Sequence, residues 1–372
     1  MNAPAPLLAD HRIAGGGGRT LLVDGEAYLN FAGCNYLALG DRAELRDAAR
    51  RAIDDGVLFS RYLVRDYGGY DEAFERVEAA AAALYGTEAA VYLPSGYLIG
   101  AAGFAGLRPE YDVLVLDELA HWCLADAAAL ADAPVVTFRH ADIDDLARVL
   151  AEQAPQRPLV VSDGVFATTG ELPPLDRYYA LAEAHDGLLF VDESHAAGVV
   201  GARGRGAVEH FKLGPRAHAA TTLSKGFCGQ GSIYPGTREA VARARAARAL
   251  RGSSPGSPIS AVVSAAALEL VQAEPSLCAS LRIKAHSLRG RLRELGLAVP
   301  ETPAAIAAFA LDDFATTRGL QEALFAVGIY VLHSNYIAAG PGGMIRLSVF
   351  ADHTEADFDR LVAAIGAWQR SR

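Results

Sequence analysis

Short apolar runs alternate with helix-like stretches through the first half of the chain, and this rhythm constrains the fold more than any other feature. Ala89–Leu93, Val113–Leu116, Val135–Phe138, Leu159–Ser162 and Leu188–Asp192 read as strands. Helices are predicted before and between them. Ala73–Tyr85 has an Ala-rich face and stops at Gly86; a second, capped by Ser95, runs through Leu107; others lie near Cys123–Ala131 and over Leu175–His185. Strands that alternate with helices in this way predict a mainly parallel sheet with helices on both faces.

The flanking segments have a different texture. Residues 1–38 read as an arm, with Gly15 to Gly18 as a flexible joint and Arg19–Leu29 as a short hairpin turning at Asp24-Gly25. Beyond Ser257 come an Ala-rich helix (Ile259–Ala273), a basic helix (Leu281–Leu295), short strands at Ala304–Leu311 and Ile345–Val349, and a closing helix, Glu355–Trp368. The division expected is therefore 1–38 as arm, 39–257 as the large domain and 258–372 as a smaller α/β domain. A length of 372 residues is enough for two such cores.

Composition removes several classes of function. A net charge of −10 argues against a nucleic-acid partner. No apolar run reaches the ~20 residues of a membrane span, and the Met-Asn-Ala-Pro-Ala-Pro start lacks the features of a signal peptide. Cys34, Cys123, Cys228 and Cys278 are scattered without metal-ligand spacing, so no metal site is expected, and reduced thiols in a cytoplasmic protein are. Nucleotide-binding GxGxxG and GxxxxGK[ST] patterns and HExxH are all missing.

Chemistry concentrates around Lys225, one of only three lysines, held in the small-residue segment Thr221-Thr222-Leu223-Ser224-Lys225-Gly226. Asp192 ends an apolar strand upstream, at the sheet edge where α/β proteins bind ligands, and His195 follows it. A lysine in such a loop suits a Schiff base with an aldehyde cofactor whose ring nitrogen needs an acid beside it. Each residue also has a plainer reading. Alone, Asp192 reads better as a turn cap, and His195 as a structural histidine. His121 either stacks on an aromatic ring or merely ends its strand. Ser95-Gly96-Tyr97 opens a helix whose free N–H groups suit a phosphate, although such turns are common. Ser253 and Ser254 lie in a loop-like stretch. Arg346 points away from the face shared by Ile345, Leu347 and Val349; it suits a carboxylate, or is an exposed charge on an edge strand.

Taken together these segments resemble the α-oxoamine synthases, a branch of the fold-type I pyridoxal-phosphate enzymes that includes 8-amino-7-oxononanoate synthase and serine palmitoyltransferase. The resemblance rests on Tyr28-Leu29-Asn30-Phe31, Asn35-Tyr36-Leu37, Ser95-Gly96-Tyr97, Asp117 to His121, Asp163-Gly164-Val165-Phe166, the run from Val191 to Gly206, Leu223-Ser224-Lys225 and Ile345-Arg346-Leu347. It implies an aspartate aminotransferase-like fold: a mainly parallel central sheet and a smaller C-terminal α/β domain. It also implies a cofactor, pyridoxal 5'-phosphate, bound as an imine to Lys225, which later moves the Cα proton. Asp192 would pair with the ring nitrogen, His195 with the phenolic oxygen, and His121 would stack on the ring. Ser95, Gly96, Tyr97 and Thr222 would hold the phosphate, with Ser253 or Ser254 supplied by a neighbouring subunit of a homodimer. Asp163 would complete the cofactor site, and Arg346, Asn35 and Tyr62 would meet the substrate.

The reaction implied joins an amino acid to an acyl thioester, carried by CoA or a carrier protein, with loss of CO₂. Departures from the family pattern touch the acyl donor's side of the site. Bulky Tyr62 and Leu63 stand in Ser60–Arg65 where glycines are expected, Ala167 replaces a serine, Gly100 an asparagine, and Trp122 a small residue. An aminotransferase, racemase or aldolase-type lyase working without a thioester is therefore the alternative. A non-catalytic subunit is the third reading, and Lys225 counts against it.

Overall fold

The computed structural model describes residues 7–61, 69 and 71–372. Its strands in chain order are β1 (Ile13–Gly15), β2 (Thr20–Val23), β3 (Glu26–Asn30), β4 (Ala89–Leu93), β5 (Val113–Asp117), β6 (Val135–Phe138), β7 (Pro158–Asp163), β8 (Leu188–Asp192), β9 (Ala217–Thr222), β10 (Ser232–Gly236), β11 (Ile306–Phe309), β12 (Ile329–Tyr330), β13 (Leu332–Ser334) and β14 (Met344–Ser348). Seven of them form the central sheet in the order β4-β10-β9-β8-β7-β5-β6. Only β10 is antiparallel to its neighbours, so β4, β5, β7, β8 and β9 all end at the same edge.

The alternation of strand side chains explains why these runs are apolar throughout. Val113, Val115, Val160, Leu189 and Val191 face one core, and Leu114, Leu116, Leu159, Val161, Leu188 and Phe190 face the other. Helices Glu72–Tyr85, Ile143–Gln153, Leu175–Ala184 and Pro258–Ala273 contribute to the first core. Ile99–Leu107, Trp122–Ala129 and Arg238–Ala246 contribute to the second. Helix Ile99–Leu107 comes very close to its neighbours. A Cβ on Gly103 would stand 2.1 Å from the Phe190 ring, and one on Gly100 would stand 2.8 Å from Ala127 Cβ. An asparagine at 100 would not fit without moving helix Trp122–Ala129, which carries part of the site.

Two sequence expectations change here. The glycine run is not a free joint: Gly15 belongs to β1, Asn30 Nδ2 donates to Gly18 O (2.9 Å), and a Cβ on Gly18 would collide with the Asp352 carboxylate. The hairpin at Asp24-Gly25 forms, both residues having positive φ, but its second strand β3 pairs in parallel with β12. The arm is thereby stitched to the C-terminal part of the chain. Helix Pro258–Ala273, placed by sequence in the smaller domain, packs instead on Glu72–Tyr85 and on helix Ala43–Asp54. The remaining C-terminal elements surround the antiparallel sheet β11-β14-β13.

Residues 31–36 run beside both small sheets. Phe31 N donates to Tyr330 O (2.8 Å), Ser348 N to Phe31 O (2.7 Å), and Ala351 N to Tyr36 O (2.8 Å). This fixes Tyr36 and Cys34 against β14 and brings them to the edge of the central sheet.

The close approach at Gly103 yields a stability test. Gly103→Ala is expected to cost about 1–3 kcal/mol through overpacking against Phe190. A lowered urea midpoint would show it, and Phe190→Leu in the same chain should recover part of the loss.

Candidate active site

Five strand ends converge on one edge of the central sheet, and each delivers a motif predicted from sequence. Ser95–Tyr97 follow β4, Asp117–His121 follow or end β5, Asp163 ends β7, Asp192–His195 end or follow β8, and Thr222–Lys225 end or follow β9. Sheet register sets Asp163 directly beside Asp192, and Asp192 beside Ala220. The two carboxylates are almost fully buried, 4% and 3% exposed.

Asp192 divides its oxygens between two tasks. Oδ1 accepts from Ser194 N at 2.8 Å, the turn-capping role of its plainer reading, while Oδ2 receives the Cys123 thiol at 3.8 Å. Burial, then Asp192, pushes that thiol well up, so it remains a donor. Asp163 Oδ2 accepts from His121 N at 2.9 Å, and burial followed by the Asp192 charge pushes its carboxyl well above the usual range. His121 also caps helix Trp122–Ala129, its Nδ1 accepting from Cys123 N at 3.2 Å, which leaves the ring hydrogen on Nε2. Burial holds its imidazole below the ordinary value. Sulfur, imidazole and carboxylate of His121, Cys123 and Asp192 lie within 4.8 Å of one another.

Lys225 Nζ lies 2.9 Å from His195 Nε2, and His195 Nδ1 lies 2.7 Å from the Tyr36 hydroxyl. His195 is buried, and burial followed by the charges of Lys225 and Arg346 holds it well below its ordinary value, as a neutral ring. Arg346 is not the exposed edge residue of its plainer reading. It lies on the middle strand of β11-β14-β13 and is 3% exposed. Its donors reach Ala167 O (2.5 Å), Gly33 O (3.1 Å), Ser348 Oγ (2.8 Å), Tyr36 OH (3.0 Å) and Cys34 Sγ (3.6 Å). A serine side chain at 167 is thus not needed for this contact, because the backbone makes it.

At the opposite end of the edge, Gly96 packs on Thr222. A Cβ on Gly96 would lie 2.9 Å from Thr222 Cβ, so glycine permits this close approach. Thr222 Oγ1 lies 2.8 Å from Ser224 Oγ, and Ser95 Oγ accepts from Tyr97 N at 3.2 Å. The Tyr97 hydroxyl donates to Asp126. Trp122, half exposed, meets the Tyr336 ring edge-on at 4.7 Å, and Tyr336 in turn lies 6.1 Å from His121.

Some predicted residues stand elsewhere. Asn35 turns its amide to Gly16 O (3.2 Å), and its neighbour Cys34 meets the guanidinium instead. Ser253 Oγ bonds to Ser254 O and Ser254 Oγ to Arg61 O, so in this chain neither bonds to Thr222. Tyr62 and Leu63, with the rest of the altered glycine segment from 62 to 65, lie outside the described residues. Sequence reasoning gave no role to Cys34, Tyr36, Cys123 or Tyr336. Tyr36 stood inside a quoted motif, but nothing in the order of residues announced its partners.

The sequence pattern of the family described as aminotransferase class I and II matches residues 26–365. Among curated proteins, 8-amino-7-oxononanoate synthase of Thermosipho melanesiensis is 31% identical over 92% of this chain and 88% of its own length. Among solved structures, serine palmitoyltransferase of Sphingomonas wittichii superposes with a TM-score of 0.89 at 24% identity, covering 96% of this chain and 92% of that one. A serine palmitoyltransferase variant from S. paucimobilis, solved with a PLP–myriocin adduct, gives 0.88 at 24% identity over 95% and 90%.

Behind the edge, His140 Nδ1 sits 3.0 Å from both Asp117 carboxylate oxygens, with Glu171 3.8 Å from Nε2. It ties β5 to the loop that offers Ala167 O to Arg346. Burial by itself would lower His140, but the Asp117 and Glu171 contacts raise it to about 9. The stabilisation is therefore full below the unfolded value of 6.5 and is lost as pH rises toward about 9. It amounts to roughly 2–3 kcal/mol. Urea midpoints taken at pH 6 and pH 9.5 should differ more in the wild type than in His140→Gln.

Proposed function

The chain belongs to the aminotransferase class I and II family, in its α-oxoamine synthase branch, and from that membership we propose how its own residues divide the work. The reaction is a decarboxylative condensation: an α-amino acid and an acyl thioester give an aminoketone, CO₂ and a free thiol. The cofactor is pyridoxal 5'-phosphate.

The residues fit that group. Gly96 sets a helical turn closely against Thr222, whose hydroxyl pairs with that of Ser224, and such N–H and O–H groups suit a phosphate. Asp192 offers a buried carboxylate oxygen whose neighbour is a neutral thiol, which suits a protonated ring nitrogen. Bound there, the cofactor supplies an aldehyde that joins amines and a cationic ring that withdraws electrons from the bonds at Cα. Asp192 keeps the ring nitrogen protonated. His195 presents an imidazole to the phenolic oxygen, and His121 presents its ring as a stacking face. Lys225 Nζ would hold the aldehyde and would act as the base for the Cα proton. Arg346 is the cation for the amino acid's carboxylate. The observation that carries this reading is the 2.9 Å contact between Lys225 Nζ and a neutral His195, one strand from buried Asp192.

We take the working unit to be a homodimer in the cytoplasm, with Ser253 or Ser254 reaching the partner's phosphate site. Exposed Ile53, Leu58 and Phe59 support a second copy, because monomers seldom leave such side chains in water. Four free cysteines suit a reducing compartment. Among the described residues no single helix is long and apolar enough to cross a membrane. Half-exposed Trp122, edge-on to Tyr336, is assigned to the acyl donor's side of the site.

The decisive assay mixes amino acids with and without acyl thioesters. CO₂ and thiol are expected in equal amounts, and only when both substrates are present. Keto acid or aldehyde formed without thioester would contradict condensation. Lys225→Ala should lower turnover by roughly 100- to 10,000-fold, the range for loss of a positioned acid–base group.

A further inference from the structure

Tyr36 is fully buried, and its hydroxyl occupies a position that packing alone does not explain. It lies 2.7 Å from His195 Nδ1 and accepts a hydrogen bond of 3.0 Å from Arg346 Nη2. Across the imidazole, Nε2 lies 2.9 Å from Lys225 Nζ. Four side chains therefore form an unbroken line from a guanidinium to the reacting amine. We propose that Tyr36 is a positioning residue that sets the direction of hydrogen bonding along this line, giving its own hydrogen to His195 Nδ1 and so fixing His195 with its hydrogen on Nε2, toward Lys225. This inference rests on the roles proposed above for Lys225 and Arg346.

The donors and acceptors follow in order. Arginine only donates, so the Tyr36 oxygen accepts from Nη2. Burial, then Cys34, pushes the Tyr36 phenol well above its ordinary range, and it keeps its hydrogen. Two other partners are close to that hydroxyl, the Cys34 thiol and His195 Nδ1, and the imidazole nitrogen, at 2.7 Å, is the stronger acceptor. The groups that face His195 are Tyr36, Lys225, Arg346 and His121, with no carboxylate among them, and the ring is neutral. A neutral imidazole has a single hydrogen; with Nδ1 accepting, that hydrogen is on Nε2. The Nε2 hydrogen then faces the side of the ring where Lys225 Nζ lies, 2.9 Å away, and where the cofactor's phenolic oxygen would be held.

Arg346 extends the consequence to substrate. Its five N–H groups all have protein acceptors, so a carboxylate arriving at Nη2 must displace either the Cys34 thiol or the Tyr36 hydroxyl. Filling of the carboxylate site and the tautomer of the active-site histidine thus meet at one oxygen atom.

Long-range ¹H–¹⁵N NMR of the full chain labelled with ¹⁵N-histidine tests this without relying on turnover. His195 is identified by its loss in His195→Gln. Wild-type protein should hold His195 neutral with hydrogen on Nε2 between pH 6 and 8. In Tyr36→Phe that form should give way to a mixture with the Nδ1–H form, whereas Ser348→Ala, which removes another acceptor of Arg346, should leave it intact. In cofactor-loaded protein the pH midpoint of the visible band should rise by about one unit in Tyr36→Phe, because the phenolic oxygen loses a fixed donor. An Nδ1–H form in the wild type, or an unchanged Nε2–H form in Tyr36→Phe, overturns the proposal. Should Tyr36→Phe fail to fold, 3-fluorotyrosine at 36 keeps the shape and strengthens the donor; the Nδ1 resonance should then move, and a fixed resonance overturns the proposal. A protein with no visible band but the expected tautomers would count against the proposed function alone.

Discussion

Asp163 and Asp192 end adjacent parallel strands in register, both buried, and the rest of the site is arranged around that pair. Two charged carboxylates side by side out of water cost on the order of several kcal/mol unless a cation or a shared proton joins them. Asp163 answers by holding its carboxyl well above the usual range, through burial first and Asp192 second. The groups bonded to the pair, His121 N, Ser194 N and the Cys123 thiol, are dipoles without charge. In the proposed function a protonated ring nitrogen against Asp192 would supply a positive charge there, and the carboxylate would keep that nitrogen protonated.

Geometry of the sheet makes this arrangement available. Strand ends β4, β5, β7, β8 and β9 point one way, so Gly96, the His121 imidazole, two acids and a lysine reach one edge from separate parts of the chain. Close packing beneath them keeps the edge rigid, with glycines at 100 and 103 where helix Ile99–Leu107 touches helix Trp122–Ala129 and Phe190. From the other side, β14 inserts Arg346 between Ala167, Gly33 and Tyr36. The residues proposed for cofactor and for substrate are therefore joined through backbone and hydroxyl contacts.

Much of this was legible in the residues alone. Strands that are apolar on both faces announced β4 through β8, and β8 was bounded correctly at Leu188 and Asp192. The strands β9 and β10 were not announced. Ala217–Thr222 is small and polar, and Ser232–Gly236 contains Pro235, which argues against a central strand. Pairing resolves the second case: β10 bonds to β9 only at Ser232 and Ile233, so Pro235 has no ladder to break on that side. Lys225, Asp192 and His195 could be found because each stands in a motif. Cys123 beside Asp192, and Tyr36 between His195 and Arg346, are joined across 69, 159 and 310 positions of sequence, and only the strand order brings them together. Arg346 was placed on the correct face, but its burial follows from β14 being the middle of three strands.

At the centre of the account is one covalent link between the amine at position 225 and a vitamin B6 aldehyde. Borohydride reduction of freshly purified yellow protein, followed by peptide mass mapping, tests it most directly. The account predicts a phosphopyridoxyl tag on Lys225 and on neither of the other two lysines, Lys212 and Lys284. A tag on another residue, or an unmodified Lys225 in protein that carries the cofactor, would contradict it.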